Sequence, residues 1–272
     1  ENGVDAYIVS MSARTVVYKG LMVAPELRNF YPDLADERTR SALALFHQRF
    51  ATNTLPNWAS AQPFRFVAHN GEINTVLGNR NWMAAREPEL TSPVWGEKLQ
   101  DLIPVLGPAG SDTASLDEAL ELLTASGRDV LHAMAMLVPD AWENIPDMEP
   151  QLRAFYEYHA CLMEPWDGPA ATAFTDGVVA AAAMDRNGLR PARYQVTSDR
   201  LVVLSSEVGM LGLPLKEIIE SGQLGPGEMI AVDTAERRFL RNDDIKLRLS
   251  MARPYARWVQ ANLQHLESST ES

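Results

Sequence analysis

Hydrophobic residues recur with a helical period in the middle of this chain. The clearest set has the spacing i, i+3, i+4 and i+7, and its members are Leu116, Ala119, Leu120 and Leu123. Such spacing places all four side chains on one face of an amphipathic helix. Ser111 or Asp112 can cap the first turn, and Gly127 is typical of a helix end. The pattern therefore predicts a helix between these residues.

Four further segments have the pattern of helices. Apolar spacing and the positions of proline set their bounds. They are residues 73–86, a segment around 130–137, residues 150 to about 163 with Pro150 in the first turn, and 244 to about 266 with a break at Pro254. The middle third of the chain is therefore predicted to be rich in helix.

Shorter runs with many β-branched and aromatic residues predict strands on both sides of this helical region. The predicted strands cover residues 5–11, 14–19, 41–50, 64–68, 170–175, 178–184, 194–197, 200–204 and 228–232. The first two are expected to form a hairpin, and Asp176-Gly177 is a strong signal for another. Strands in two groups with helices between them favour an α+β fold over a doubly wound parallel sheet.

Composition and charge limit the possible partners. The chain has 272 residues, 46% of them apolar, so it can bury a sizeable core. Its formal charge of −12 would repel a phosphate backbone, so no nucleic-acid partner is expected. No apolar run approaches the ~20 residues of a membrane-spanning helix, and residues 1–5 do not resemble a secretory signal. A cytoplasmic location and no membrane partner are therefore expected.

Two short segments carry residues that suit the binding of a small zwitterion. In the first, 47–54, Arg49 can clamp a carboxylate with two parallel charge-assisted hydrogen bonds. In the second, 68–75, the Asn70 side chain and the Gly71 N–H can act as two oxyanion donors. Each feature also has a simpler interpretation, since an Arg often pairs with a surface carboxylate and Asn-Gly is often only a turn.

Asp112 is a candidate ligand for an ammonium group, although it lies where a helix cap is expected. If Ser111 caps the helix, the Asp112 carboxylate is free to face a pocket. His47 and His69 are expected to be hydrogen-bonded structural residues, and no His, Cys and Asp spacing predicts a metal site. The one cysteine, Cys161, is interpreted as a small buried hydrophobe, so thiol chemistry would need a nucleophile from outside this sequence.

Four more segments complete an ordered set with the two above. They are 110–117, 156–159, 184–191 and 205–209. Together the six segments resemble the class II, N-terminal-nucleophile glutamine amidotransferase domain of the glutamate synthases, over most of the chain. The resemblance implies a four-layer αββα fold that is incomplete at the N-terminus. It also implies a partial amidotransferase domain over 1–243, and a C-terminal helix and linker toward a further domain over 244–272.

The resemblance gives five residues a role at a glutamine site. Arg49 and Phe50 would hold glutamine, with Arg49 on its α-carboxylate, and Asp112 would bind its α-ammonium. Asn70 and Gly71 would form the oxyanion hole. The nucleophilic cysteine of the family has no counterpart in this chain, so the fragment is expected to be inactive alone.

Residues 185–188 predict a tight turn, which the resemblance places close to the site. Asn187-Gly188 would supply positive φ, and Arg190 and Arg193 could position the loop. None of these residues is assigned a catalytic role.

The reaction implied by the resemblance is hydrolysis of the side-chain amide of L-glutamine. A terminal cysteine thiolate attacks, ammonia leaves, and water resolves the γ-glutamyl thioester. In glutamate synthases the ammonia reaches 2-oxoglutarate on another domain of the same polypeptide, which carries FMN and an iron–sulfur cluster. No cofactor is expected in this chain. The electron donor would be an NAD(P)H-oxidising small subunit or ferredoxin, and the location would be the plastid in a photosynthetic eukaryote.

Two other interpretations stay open. The chain could belong to an amidotransferase of another biosynthetic pathway, although the order of the 110–117 and 184–191 segments and the residues they contain argue against it. It could also be a non-catalytic module that keeps the pocket to bind glutamine.

Overall fold

The computed structural model describes residues 7–49, 55–107 and 110–264. Its helices are α1 Leu27–Phe30, α2 Val76–Arg86, α3 Asp112–Ala125, α4 Val130–Leu137, α5 Pro150–Ala160, α6 Asn242–Met251 and α7 Tyr255–Asn262. Its strands are β1 Val67–Gly71, β2 Ala170–Thr175, β3 Val179–Met184, β4 Arg193–Thr197, β5 Val202–Ser205, β6 Ile218–Gln223, β7 Met229–Asp233 and β8 Arg238–Leu240.

The strands form two antiparallel sheets. The larger has the order β1-β2-β3-β7-β8, and the smaller has the order β5-β4-β6. In the larger sheet Gly71 pairs with Ala170, and Ala171 pairs with Met184. The end of β1, the start of β2 and the end of β3 therefore lie at the same end of the sheet.

Side chains on the two faces of the larger sheet enter two separate cores. On one face, Ala183 and Ala231 pack with residues of α3 to α7. On the other, Ala182 and Ile230 pack with Tyr194 of the smaller sheet. This alternation follows from the period of two in a strand. One layer of helices and two sheets result, which confirms the predicted α+β class and agrees with three of the four layers that the resemblance implies.

The strongest local signals in the sequence are confirmed. The Ser111 side chain caps α3 by accepting a hydrogen bond of 3.1 Å from the Ala114 N–H. Gly127, with φ +96°, follows the end of that helix. Pro150 occupies the first turn of α5. The turn at Asp176 and Gly177 joins β2 to β3 as a hairpin, in which Gly177 takes φ +89°.

The predictions for the first third of the chain are wrong in several places. Within residues 7–49 the structure contains no strand, so the described parts of the predicted strands at 5–11, 14–19 and 41–50 are irregular or turn segments. The strand predicted over 64–68 begins later, at Val67, and continues through the Asn70-Gly71 pair. Strand formation depends on a partner strand, and an apolar run alone does not supply one.

The start of β1 is held by a carboxylate from α3. Asp117 is buried, and its Oδ1 accepts hydrogen bonds from the N–H groups of Phe66 at 2.7 Å and Val67 at 2.9 Å. These N–H groups lie on the edge of the sheet that has no neighbouring strand among the described residues. A side chain therefore satisfies donors that a strand would otherwise satisfy.

The C-terminal helices pack on the rest of the structure. α6 ends at Met251, Pro254 precedes α7, and the predicted break at Pro254 is confirmed. Ile245 and Tyr255 are buried in the same core as α5. The predicted boundary at 243/244 stays a prediction. Within the described ranges, no helix combines the length and the hydropathy that crossing a membrane requires.

Candidate functional site

The Asn70-Gly71 pair lies at the last two positions of β1, where the chain passes close to another segment. A Cβ atom on Gly71, whose φ is +144°, would lie 1.8 Å from the carbonyl oxygen of Pro169. One residue later, the Glu72 N–H donates to that same oxygen at 3.1 Å. Only glycine allows this approach, because any side chain would displace the backbone. The sequence alone did not distinguish this arrangement from an ordinary turn.

Both oxygen atoms of Asn70 accept hydrogen bonds from one guanidinium. Arg190 Nη2 donates to Asn70 Oδ1, and Arg190 Nε donates to the Asn70 carbonyl oxygen at 3.3 Å. The two residues are 120 positions apart in the chain. Because the side-chain oxygen is occupied, the Nδ2 group of Asn70 is the part that remains available to donate elsewhere.

Arg190 follows the tight turn that the sequence predicts over 185–188. Asp185 is buried, and its Oδ1 accepts from the N–H groups of Asn187 and Gly188 at 2.8 and 3.0 Å. Its other oxygen accepts from the Ala170 N–H at 2.9 Å. The turn is therefore tied to β2, the strand that pairs with β1. Gly188 has the positive φ that the turn needs, +64°.

Asp112 lies beside the same strand end. Its Oδ2 accepts a hydrogen bond of 2.8 Å from the Ile73 N–H, and its Oδ1 accepts one of 2.7 Å from the Thr113 N–H. Of the two residues that the sequence offers as the helix cap, Ser111 supplies it, so Asp112 is not needed for that role. The Asp112 carboxylate is 18% exposed and keeps acceptor capacity toward solvent. Because it already binds two backbone N–H groups, it is less free than the sequence predicts.

His69 joins β1 to the first turn of α3. Its Nδ1 lies 2.9 Å from Thr113 Oγ1 and 3.9 Å from Asp112 Oδ2. Burial lowers the pKa of His69 below its ordinary value, and the Asp112 charge partly opposes that effect. The ring is therefore neutral at neutral pH and serves the structural role that the sequence predicts. Its Nε2 is buried and has no hydrogen-bond partner among the described residues.

Arg49 is exposed and reaches the site region through His47. The Arg49 N–H donates to His47 Nδ1 at 3.0 Å, and the His47 ring also bonds to the backbone of His69. A cavity of about 560 Å³ is lined by Arg49, His47 and Gln62 among others. The Gln62 side chain bonds the N–H and carbonyl of His69 at 2.7 and 3.1 Å. The cavity therefore adjoins the outer edge of β1.

The structure brings Asn70, Gly71 and Asp112 together, and Arg49 lines the cavity beside the outer edge of β1. In the part of the chain that the structure describes, the Arg49 side chain forms no hydrogen bond or ion pair with the other three. Phe50, the fifth predicted site residue, lies outside the described residues. The residue that sequence reasoning undervalued is Arg190, whose only signal was its place in the 184–191 segment.

The interpretation of Cys161 is corrected by the structure. Cys161 is exposed, so its interpretation as a buried hydrophobe is wrong; it lies at the C-cap of α5, where a helix end faces solvent. Over the described residues, no group of three or more His, Cys, Asp or Glu side chains could hold a metal ion.

Comparison with known families gives a match over nearly the whole chain. The sequence profile of the family described as "Glutamine amidotransferases class-II" matches residues 1–258. The chain is 45% identical over 270 residues to the "Glutamate synthase [NADPH] large chain" of Bacillus subtilis, covering 99% of this chain and 18% of that protein. It is 48% identical over 269 residues to "Ferredoxin-dependent glutamate synthase 2" of Synechocystis sp., covering 98% and 17%.

The chain thus spans less than a fifth of the length of these curated relatives. Among solved structures it is similar to the glutamine phosphoribosylpyrophosphate amidotransferase from B. subtilis complexed with ADP and GMP. That likeness has 16% identity and a TM-score of 0.39, and it covers 72% of this chain and 34% of the other.

Proposed function

This chain belongs to the class-II glutamine amidotransferases, and from that premise we propose that it binds L-glutamine and stabilises the transition state for hydrolysis of its side-chain amide. Arg49 binds the α-carboxylate and Asp112 the α-ammonium, and Phe50 is the third residue proposed to bind glutamine. The Asn70 Nδ2 group and the Gly71 N–H donate to the oxyanion. Clamps at the charged end direct the neutral amide toward the nucleophile, which is the geometry that attack requires.

The observation that supports this proposal most is the contact between Asp112 and the segment after Gly71. Asp112 Oδ2 lies 2.8 Å from the Ile73 nitrogen, although the two residues are 39 positions apart. The predicted ammonium ligand therefore stands next to the predicted oxyanion donors. The resemblance gave these residues their roles, and a contact between two segments that are distant in the chain supports assigning them to one site.

The proposed chemistry divides between this chain and a nucleophile supplied by the full-length protein. A thiolate forms a bond to the amide carbon, and the carbonyl electron pair moves onto oxygen, where two donors hold it. The C–N bond then breaks and ammonia leaves with an added proton. Water adds to the resulting thioester and releases glutamate and the thiol.

We further propose that the full-length protein is a glutamate synthase, which uses this ammonia to aminate 2-oxoglutarate reductively. Identities of 45% and 48% to two glutamate synthases support this over another amidotransferase pathway. FMN, an iron–sulfur cluster and the contact with an NAD(P)H-oxidising subunit or ferredoxin belong to other parts of that protein. One relative is named for NADPH and the other for ferredoxin, so the electron donor stays open. The predicted cytoplasmic or plastid location stays open as well.

The test is a glutaminase assay on the full-length gene product. We expect release of glutamate and ammonia from L-glutamine, and little from L-asparagine, whose amide is one methylene too short. Asn70→Ala should lower kcat by roughly 10²–10³-fold, the usual effect of removing one oxyanion donor. A wild-type protein that does not hydrolyse glutamine, or an Asn70→Ala variant with normal kcat, would refute the proposal.

A further inference from the structure

We propose that Arg190 is a positioning residue that orients both donors of the oxyanion hole. This inference rests on the proposed function. Arg190 would not touch the substrate, and it acts through Asn70 and Gly71. The case stands on two contacts made by one side chain, from Arg190 Nη2 to Asn70 Oδ1 and from Arg190 Nε to the Asn70 carbonyl oxygen.

The first contact fixes the orientation of the Asn70 side-chain amide. A guanidinium carries only donors, whereas an amide has an oxygen acceptor at one end and an NH₂ donor at the other. Asn70 must therefore present Oδ1 to Arg190 and turn Nδ2 elsewhere. Without Arg190 the amide is free to rotate by half a turn, which would place an oxygen where the hole needs a donor. That oxygen would repel the developing negative charge of the intermediate.

The second contact helps to fix the peptide plane between Asn70 and Gly71, together with the pairing of Asn70 with Ala171 across β1 and β2. In a trans peptide the carbonyl of one residue and the N–H of the next point in opposite directions. Because Arg190 Nε holds the Asn70 carbonyl at 3.3 Å, the Gly71 N–H points away from Arg190. The other side of β1 is the edge where His69 bonds to Gln62. One guanidinium thus constrains both predicted donors, each through its partner oxygen.

The position of Arg190 is itself fixed by the larger sheet. Asp185 is buried, closes the 185–188 turn, and bonds the Ala170 N–H at 2.9 Å. Ala170 pairs with Gly71 across β1 and β2. The arginine and the donors it orients therefore belong to one hydrogen-bonded unit. Donors held in this way need no reorganisation when charge develops on the substrate oxygen.

This role predicts a specific kinetic signature. The oxyanion exists in the transition state and not in bound glutamine, so a change in its donors lowers kcat and leaves KM nearly constant. In the full-length gene product, Arg190→Met should lower glutaminase kcat by roughly 10–100-fold with KM changed by less than about threefold. Arg190→Lys should fall between Arg190→Met and the wild type, because an ammonium supplies donors without the planar fork.

A transition-state probe separates positioning from general loss of structure. Glutamate γ-semialdehyde forms a tetrahedral adduct with a thiolate nucleophile, so its affinity depends on the oxyanion hole. Arg190→Met should raise its inhibition constant by about the same factor by which kcat falls. A semialdehyde affinity that stays at the wild-type level would overturn the inference.

Arg186→Met is the matched control, since Arg186 lies in the same turn and pairs with Asp167 at 3.1 Å instead of Asn70. Its kcat should stay near the wild-type value. The effect of Arg190→Met should also shrink in an Asn70→Ala background, because one of the two oriented donors is already gone. Equal kcat losses for Arg186→Met and Arg190→Met, or full additivity with Asn70→Ala, would overturn the inference. Failure of the proposed function is distinct, because Asn70→Ala alone would then leave kcat unchanged.

Discussion

The backbone at Gly71 passes so close to Pro169 that a Cβ on Gly71 would lie 1.8 Å from the Pro169 carbonyl oxygen. This contact joins the end of β1 to the residue before β2, and it fixes where the Gly71 N–H lies. The predicted oxyanion donor is therefore placed by a steric restriction as well as by hydrogen bonds.

Gly71→Ala should damage both stability and catalysis. The new methyl group requires a backbone shift at a φ of +144°, which disfavours every residue except glycine. We expect a loss of ~1–3 kcal/mol in the free energy of unfolding, and a fall in glutaminase kcat of at least ~10-fold from the displaced donor. Thermal denaturation and steady-state kinetics measure the two effects.

Gly78→Ala is the control for that substitution. Gly78 lies within α2, and a Cβ there would meet no atom within 4 Å beyond the backbone of its own helix. Replacing it should stabilise the protein by up to about 1 kcal/mol, because alanine favours helix more than glycine. A Gly71→Ala protein as stable and active as Gly78→Ala would contradict the steric argument.

Arg49→Lys should raise the glutamine KM of the full-length protein far more than it lowers kcat. A lysine keeps the charge but cannot make two parallel hydrogen bonds to a carboxylate. Loss of a charge-assisted bond of ~1.5–3 kcal/mol corresponds to a KM increase of roughly 10–100-fold. Arg38→Lys, at a side chain that is 90% exposed and pairs with Asp36, should have no effect on KM. An unchanged KM in Arg49→Lys would remove Arg49 from the substrate site.

Asp112→Asn should raise the glutamine KM by roughly 10–100-fold, since an amide cannot neutralise the α-ammonium. Ser111→Ala tests the neighbouring helix cap. It removes the acceptor of the Ala114 N–H, and we expect it to cost ~1 kcal/mol of stability without a change in KM. If both variants changed KM equally, the effect of Asp112 would be structural.

The free energy of unfolding should fall as the pH drops through the range of the His132 and His159 pair. Their Nε2 atoms lie 2.8 Å apart, and burial, aided for His132 by the nearby Arg128 charge, lowers the pKa of each to about 4. In the unfolded chain each titrates near its ordinary value of 6.5. Between these values the unfolded state binds more protons, so stability is complete above about pH 6.5 and decreases toward pH 4.

Chemical denaturation at several pH values measures this dependence. A double variant, His132→Gln with His159→Gln, keeps hydrogen-bonding groups and cannot titrate in this range. Its stability should depend less on pH between 4 and 6.5 than that of the wild type. An identical pH profile for the two proteins would rule out the pair as the titrating groups.

Local signals determined the elements that the sequence predicted correctly. The spacing from Leu116 to Leu123, the helix cap at Ser111 or Asp112 and the Asp176-Gly177 turn each depend on residues that are neighbours in sequence. Each was found, with Ser111 as the cap. The class of fold followed from their order. Resemblance to known motifs then identified Arg49, Asn70, Gly71 and Asp112 as candidate site residues.

Contacts between distant residues decided the rest. The apolar runs within 7–49 form no strand, because pairing depends on partners that a run of residues does not specify. The hydrogen bond from Asp112 to Ile73 and those from Arg190 to Asn70 join residues 39 and 120 positions apart. Sequence patterns depend on a few neighbouring residues. A binding site, in contrast, forms where the folded sheet brings separate segments together at one end. The types of residue in the site were therefore determined by the sequence, and their orientation was decided by the tertiary structure.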